Sequence, residues 1–208
     1  MFKYAVLLVK LLQKMRQSLL YRFEQNGGFL RTADSLSAAE KYHLRLLIKD
    51  GIVSRVKRGL FRLNESPKVN QETEVAKSVP SGIFCMFTAW SYYELTTHIS
   101  AEYHIAIPRS TKVVLPAYPP VKLYYSSNET FDLGKSINEI NGTEVNMYNM
   151  ERSVCDAVKY RNKIGPDMVG EILRNYVRHK DKNLDKLLKY ASELRISNTL
   201  HQLLQVIL

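Results

Sequence analysis

Basic side chains between residues 41 and 62 have the spacing and the chemistry of a nucleic-acid contact. At 100° per residue, one side of a helix carries Lys41, Tyr42, Arg45 and Lys49. The segment that follows adds four cations: Arg55, Lys57, Arg58 and Arg62. Arginine pairs with guanine edges and lysine meets phosphates, so this set predicts binding to double-stranded DNA. An ordinary solvated helix face is the alternative for the helical lysines and arginine taken alone.

Residue sets for catalysis or metal binding are weak. The five histidines have no metal-ligand spacing, and neither a phosphate-cradling glycine-rich loop nor a serine nucleophile elbow occurs. Glu151 and Asp156 beside Arg152 would suit a nuclease or a protein-modifying enzyme. The favoured interpretation is structural, because an Arg152–Asp156 pair one turn apart neutralises itself and anchors a helix. We therefore predict no enzyme activity, no metal and no cofactor.

A winged helix-turn-helix is the scaffold predicted to hold the cations. Apolar residues at spacings of three and four predict a first helix over residues 2–23, whose apolar face would hold Leu8, Leu11, Leu12, Met15, Leu19 and Phe23. Thr32 is predicted to cap a short second helix. Ser37 and Glu40 form a capping box that opens a third helix, which ends at Asp50-Gly51. Thr32 and Ser37, placed at helix N-termini, are further candidate phosphate contacts.

A β-hairpin is predicted directly after the third helix. Residues 52–56 and 60–63 have strand character, and Lys57-Arg58-Gly59 is the predicted tip. This tip would display two cations. The apolar side of the third helix is predicted to hold His43, as a core histidine, and Ile48.

Charge and composition predict two domains in an α+β chain of 208 residues. Residues 1–64 contain 13 lysines and arginines against four acidic residues, so they hold nine of the ten net positive charges. We assign 1–64 to the winged helix-turn-helix, 65–78 to a polar linker, and 79–208 to a mixed α/β domain that ends in helices. Ribosomal or membrane-surface roles are also compatible with such a basic segment.

The predicted elements of the second domain are short strands followed by helices. Strands are expected at 83–87, 104–107 and 121–125, with a helix capped by Thr88 between the first two. Helices are expected near 150–162, 166–179 and 184–208.

The two cysteines, Cys85 and Cys155, are too few for a disulfide scaffold, so a reducing cytoplasm is the expected compartment. The apolar run from Ala5 to Val9 is broken by Lys10, which predicts neither a signal peptide nor a membrane span.

Several stretches resemble the AbiEi family, the antitoxins and autorepressors of bacterial type IV toxin–antitoxin systems that act in abortive infection by phage. They are residues 51–63 (GIVSRVKRGLFRL), 81–90 (SGIFCMFTAW), 93–96 (YELT), 149–156 (NMERSVCD), 159–165 (KYRNKIG) and 187–191 (LLKYA). The wing of the family usually reads Gly-Val-Tyr, whereas this chain has Gly59-Leu-Phe61, which loses a hydroxyl and leaves the apolar packing.

This resemblance implies an N-terminal winged helix-turn-helix that represses its own operon, with two protomers on inverted repeats. It also implies a C-terminal domain needed for antitoxin action, whose motif here contains Glu151, Arg152, Asp156 and Arg161. The implied functional partner is a nucleotidyltransferase-like toxin, opposed without a stable complex. The alternative is a stand-alone transcription factor whose C-terminal domain senses a ligand or dimerises.

Overall fold

The chain folds into a mixed α+β structure with two separate sheets. The computed structural model describes the backbone of residues 2–207 and the side chains of residues 13–206. Helices hold 47% and strands 20% of the chain, which gives the predicted α+β class. The chain divides into two compact units: Met1–Ser78 with Val114–Tyr118, and Val79–Val113 with Pro119–Leu208.

The first unit combines three helices with a three-stranded antiparallel sheet. Its elements are α1 (Phe2–Gln25), β1 (Phe29–Arg31), α2 (Ala38–Lys49), β2 (Val53–Lys57), β3 (Leu60–Leu63) and α3 (Gln71–Ser78). The strand order is β1-β3-β2. The predicted hairpin is confirmed, with Arg58 and Gly59 turning the chain between β2 and β3.

The core of this unit lies between α1, α2 and the sheet. Leu19 and Phe23 of α1 are fully buried against Leu44 and Leu47 of α2 and Phe61 of β3. The predicted face of α1 is therefore confirmed at Leu19 and Phe23. The side chains of Leu8, Leu11 and Leu12 lie outside the described residues.

A left-handed glycine pair ends α1. Gly27 and Gly28 have φ of 70° and 87°, and the Gly28 amide donates to the Phe23 carbonyl at 2.7 Å. A Cβ on Gly28 would approach the Val69 side chain to 2.5 Å, so only glycine fits. This turn sends the chain directly into β1.

Two sequence predictions for this unit are wrong. Residues 32–35 form turns and no second helix, because Arg31 pairs with Leu60 and the Thr32 amide donates to the Gly59 carbonyl at 3.0 Å. Residues 65–78, predicted to be a linker, contain α3, which packs against β2 and buries Val75 completely.

The second unit surrounds a five-stranded mixed sheet of order β6-β5-β4-β8-β7. Its strands are β4 (Ile83–Phe84), β5 (Tyr103–Pro108), β6 (Val121–Ser126), β7 (Lys135–Ile140) and β8 (Thr143–Tyr148). Its helices are α4 (Met86–Tyr92), α5 (Asn128–Phe131), α6 (Met150–Lys159), α7 (Arg161–Ile164), α8 (Pro166–Arg178), α9 (Leu184–Glu193) and α10 (Ser197–Ile207). The parallel pairs are β5 with β6 and β4 with β8.

Helix α6 is the centre of this unit. Every residue from Met150 to Val158 is buried, and the helix packs against α4, α8 and α9. A helix that is buried all round must satisfy its polar side chains internally. Glu151, Arg152 and Asp156, the charged residues of this stretch, must therefore find partners within the fold.

The predicted strands at 104–107 and 121–125 and the three helical regions after residue 150 are confirmed. The strand predicted at 83–87 is wrong beyond Phe84, because α4 already begins at Met86. Thr88 therefore lies inside α4 and does not cap it; its hydroxyl accepts from the His104 amide at 2.8 Å. The hairpin of β7 and β8 was not predicted.

Candidate functional site

Helix α2 is held by local capping and by two ion pairs to α1, one at Glu40 in its first turn and one at its C-cap Asp50, which lies 3.2 Å from Arg16. The Ser37 hydroxyl accepts from the Glu40 amide at 3.2 Å, and the Glu40 carboxylate accepts from the Ser37 amide at 2.8 Å, so the predicted capping box is confirmed. Arg22 of α1 pairs with Glu40 at 2.6 Å. The pKa of Glu40 is lowered, chiefly by the Ser37 backbone amide and next by the Ser37 hydroxyl.

The exposed face of α2 is basic, as the sequence predicts. Lys41, Tyr42, Arg45 and Lys49 are all exposed. No carboxylate of the described side chains lies within salt-bridge distance of Lys41, Arg45 or Lys49. These three cations are therefore available to an external anion.

The opposite face of α2 packs into the core. His43, Leu44 and Leu47 are buried, which confirms His43 as a core histidine. The expectation for Ile48 is wrong, since its side chain is 37% exposed.

The hairpin tip displays one cation where two were predicted. Arg58 is exposed in the turn. The Lys57 ammonium instead donates to the carbonyls of Ser78 at 2.6 Å and Val114 at 2.9 Å. Burial lowers the pKa of Lys57, and the nearby Arg31 guanidinium lowers it further. Lys57 thus ties the hairpin to the rest of its unit.

Arg62 is also engaged inside the unit. Its guanidinium pairs at 3.0 Å with Glu74, whose side chain is 7% exposed. Burial raises the pKa of Glu74, and the Arg62 charge opposes that shift. Arg62 therefore neutralises a buried carboxylate of α3, which the sequence did not predict. Arg55 stays exposed, with a 3.4 Å contact from its Nε to the Lys57 carbonyl.

The two predicted helix N-terminal hydroxyls differ in outcome. Ser37 caps α2, but its hydroxyl also donates to the Glu40 carboxylate at 2.8 Å. Thr32 is exposed in a turn and starts no helix, so the helix N-terminus that was predicted there is absent. Five exposed cations lie on α2 and the β2–β3 hairpin, and α2 contacts β2: Lys41, Arg45, Lys49, Arg55 and Arg58. We call this set the basic face.

In the second unit, Arg152 is the centre of a buried polar cluster. The predicted ion pair with Asp156 is confirmed, at 3.1 Å between buried side chains. The same guanidinium donates to the carbonyls of Thr130 at 2.6 Å and Leu133 at 2.9 Å, and lies 4.2 Å from the centre of the Tyr148 ring. Arg152 thereby joins α6 to α5 and to the segment before β7.

Glu151 and Arg161 have smaller roles. The buried Glu151 carboxylate accepts from the Asn183 amide at 3.2 Å and lies 3.6 Å from the Lys186 ammonium. Arg161 donates to the Val158 carbonyl at 3.2 Å. The four residues of the predicted motif thus contact different elements around α6, and their observed contacts stabilise the fold.

Sequence reasoning missed a pocket in the second unit, here called the Tyr124 pocket. It is lined by residues of β5, β6, α4, β8 and α6 that are far apart in sequence: Cys85, Met86, Ala106, Arg109, Tyr124–Ser127, Tyr148, Arg152, Asp156, Lys159 and Tyr160. Burial raises the pKa of the Cys85 thiol, so this lining sulfur stays protonated at neutral pH. No local sequence signal marks such a pocket.

Comparisons with known proteins add no family assignment. A scan against protein-family models finds no match, and a search of curated proteins finds no significant similarity. Among the described side chains, those of residues 13–206, no group of three or more histidine, cysteine or acidic residues is arranged to hold a metal ion. No helix in that part of the chain is both long and apolar enough to cross a membrane.

Proposed function

We propose that the first unit is a winged helix that binds double-stranded DNA, with α2 as the recognition helix and the β2–β3 hairpin as the wing. The basic face carries this proposal: three cations of α2 without a carboxylate partner lie in the same unit as the exposed Arg55 and Arg58. The element order, in which helix, strand, turn, helix and hairpin follow one another around a three-stranded sheet, supports it.

Each side chain has a distinct proposed role. Arg45 projects from the middle of the exposed face of α2 and reads a base edge, since a guanidinium offers two parallel donors to guanine. Lys41 and Lys49 lie one turn to either side and meet phosphates. Arg58 extends the contact from the wing. Lys57 contributes through the hairpin's position, because its ammonium is engaged by two carbonyls.

The finer proposal is a cytoplasmic autorepressor and antitoxin. It rests on the resemblance to the AbiEi family and implies two protomers on inverted repeats upstream of the chain's own gene. A nucleotidyltransferase-like toxin would be opposed without a stable complex. A neighbouring gene for such a toxin, together with growth rescue on co-expression, is the expected result. Without such a neighbour, a stand-alone transcription factor is the better proposal.

The DNA proposal is tested by fluorescence anisotropy on the duplex just upstream of the gene, against a scrambled duplex of equal length. We expect tighter binding to the native duplex and an affinity that falls steeply as salt rises. Arg45→Ala should lose about 1–3 kcal/mol of binding free energy on the native duplex and little on the scrambled one. Lys189→Gln, an exposed charge change in the second unit, is the matched control. If Arg45→Ala binds both duplexes as tightly as the wild type does, α2 is not part of the DNA interface.

A further inference from the structure

The Tyr124 pocket lies between one face of the sheet and helix α6. Ala106 and Tyr124 are paired in register across β5 and β6, and Ser126 lies two residues further along β6, so these three share a face. Helix α6 supplies Arg152, Asp156 and Lys159 on the other side, and the cavity measures about 130 Å³. All lining residues belong to the second unit.

The charge of the lining favours an anion. Arg152 and Asp156 are paired at 3.1 Å and neutralise one another. The remaining charged lining residues are Arg109 and Lys159, both exposed, and no described carboxylate lies within salt-bridge distance of either. Two exposed cations that line one cavity raise the local concentration of a negatively charged molecule.

The hydroxyl groups of the wall are already fixed in place. The Tyr124 hydroxyl hydrogen-bonds His104 Nδ1 at 2.9 Å, and the Nε2 of this buried histidine hydrogen-bonds the Ser100 hydroxyl at 3.0 Å. The hydroxyls of Ser126 and Ser127 both contact the Thr130 hydroxyl, at 3.3 Å and 2.9 Å. Polar groups ordered before binding lose little further entropy when a ligand arrives.

The backbone at the pocket is strained as well. Met86 has a φ of 48°, in the left-handed region that side-chain-bearing residues rarely adopt. It follows Cys85 at the start of α4, and both residues line the cavity. Such strain persists only where the surrounding structure enforces it.

We propose that the Tyr124 pocket binds a small phosphorylated molecule, with the phosphate held by Arg109, Lys159 and the hydroxyls of Ser126 and Ser127. A phosphate monoester carries nearly two negative charges at neutral pH and offers three acceptor oxygens, which match two cations and adjacent hydroxyl donors. The cavity is smaller than the roughly 300–1,000 Å³ of sites for drug-sized ligands, so a dinucleotide does not fit. This proposal is independent of DNA binding by the first unit.

Isothermal titration of the full chain at constant ionic strength tests this site. The probes are inorganic phosphate and ribose 5-phosphate, and ribose is the unphosphorylated control. We expect saturable one-to-one binding of at least one phosphorylated probe and none of its unphosphorylated counterpart. Binding of inorganic phosphate alone would identify the free ion as the ligand, and preference for an ester would identify a metabolite.

Charge variants locate the binding. Lys159→Gln and Arg109→Gln should each raise the dissociation constant about tenfold or more, as expected for loss of a charge-assisted hydrogen bond. The exposed control Lys189→Gln should leave it unchanged. The proposal is overturned if no phosphorylated probe binds, or if Lys189→Gln weakens binding as much as Lys159→Gln. It is also overturned if Arg45→Gln on the basic face abolishes binding, which would place the phosphate on the first unit.

Discussion

Removing the charge of Arg152 should strongly destabilise the second unit. Arg152→Met keeps much of the side-chain volume but leaves Asp156 buried and unpaired, and it removes the donors to the Thr130 and Leu133 carbonyls. Breaking one side of a buried ion pair costs about 3–5 kcal/mol. Domains of this kind unfold with a free energy of roughly 5–15 kcal/mol, so the variant should approach the limit of stability.

Urea unfolding followed by tryptophan fluorescence measures this loss. Trp90 is the single tryptophan, is fully buried, and donates from its indole nitrogen to the Ser153 carbonyl of α6 at 2.8 Å, so its emission reports the second unit. With a slope of about 2 kcal/mol per molar urea, a loss of about 4 kcal/mol lowers the midpoint by about 2 M. The exposed pair of Lys135 and Asp132, at 4.0 Å, gives a control: Lys135→Met should cost less than about 1 kcal/mol.

A double variant tests whether the unpaired charge of Asp156 causes the loss of stability. Arg152→Met combined with Asp156→Asn leaves no uncompensated buried charge, so it should be more stable than Arg152→Met alone. The buried pair does not anchor α6 if the double variant loses as much stability as Arg152→Met and Asp156→Asn lose together as single variants. The same conclusion follows if Arg152→Met costs no more than Lys135→Met.

Three further predictions concern other parts of the chain. Burial lowers the pKa of His104 from 6.5 to about 4, so the folded state resists protonation and stability should fall as the pH drops from about 6.5 to about 4. Urea unfolding at a series of pH values should show a loss of up to about 3 kcal/mol over this range. If the stability of His104→Gln depends on pH as strongly as that of the wild type, His104 is not the cause. Gly134 and Gly142 share a φ of 76°, but a Cβ at Gly134 would lie 2.5 Å from the Arg152 Cβ, whereas the space at Gly142 is open. Gly134→Ala should therefore lower the melting temperature clearly more than Gly142→Ala, and equal losses would show that the backbone adjusts. Arg58→Gln should reduce the salt dependence of DNA binding by about one unit of slope with unchanged stability. Lys57→Gln should lower thermal stability. If Arg58→Gln lowers stability and Lys57→Gln changes only the salt dependence of DNA binding, the roles of these two cations are reversed.

Local hydrogen bonds explain which parts of the fold the sequence predicts. The start of α2 follows from Ser37 and Glu40, which satisfy each other's backbone amides within four residues. The end of the hairpin follows from Gly59, whose φ of 80° suits the turn. The Asn141-Gly142 turn, with φ of 49° and 76°, is an equally local signal. It could have predicted the β7–β8 hairpin, which the sequence analysis did not include.

Contacts between distant residues explain what sequence reasoning could not find. Thr32 is a good helix cap in isolation, but pairing of the neighbouring backbone with β3 prevents the helix. Lys57 looks like a free cation in the sequence and meets a carbonyl 57 residues further along the chain. The Tyr124 pocket likewise requires β5, β6 and α6 together, and no spacing in the sequence records that arrangement.

The segment Val114–Tyr118 makes the first unit discontinuous in sequence, with a practical consequence for dissecting or exchanging its parts. Its Val114 carbonyl accepts from Lys57 and its Tyr118 hydroxyl accepts from Gln71 at 2.7 Å. A fragment that ends at Ser78 lacks both partners. Recombination that replaced everything after Ser78 would therefore transfer an incomplete first unit. A chimera that carries the basic face must also include residues 114–118.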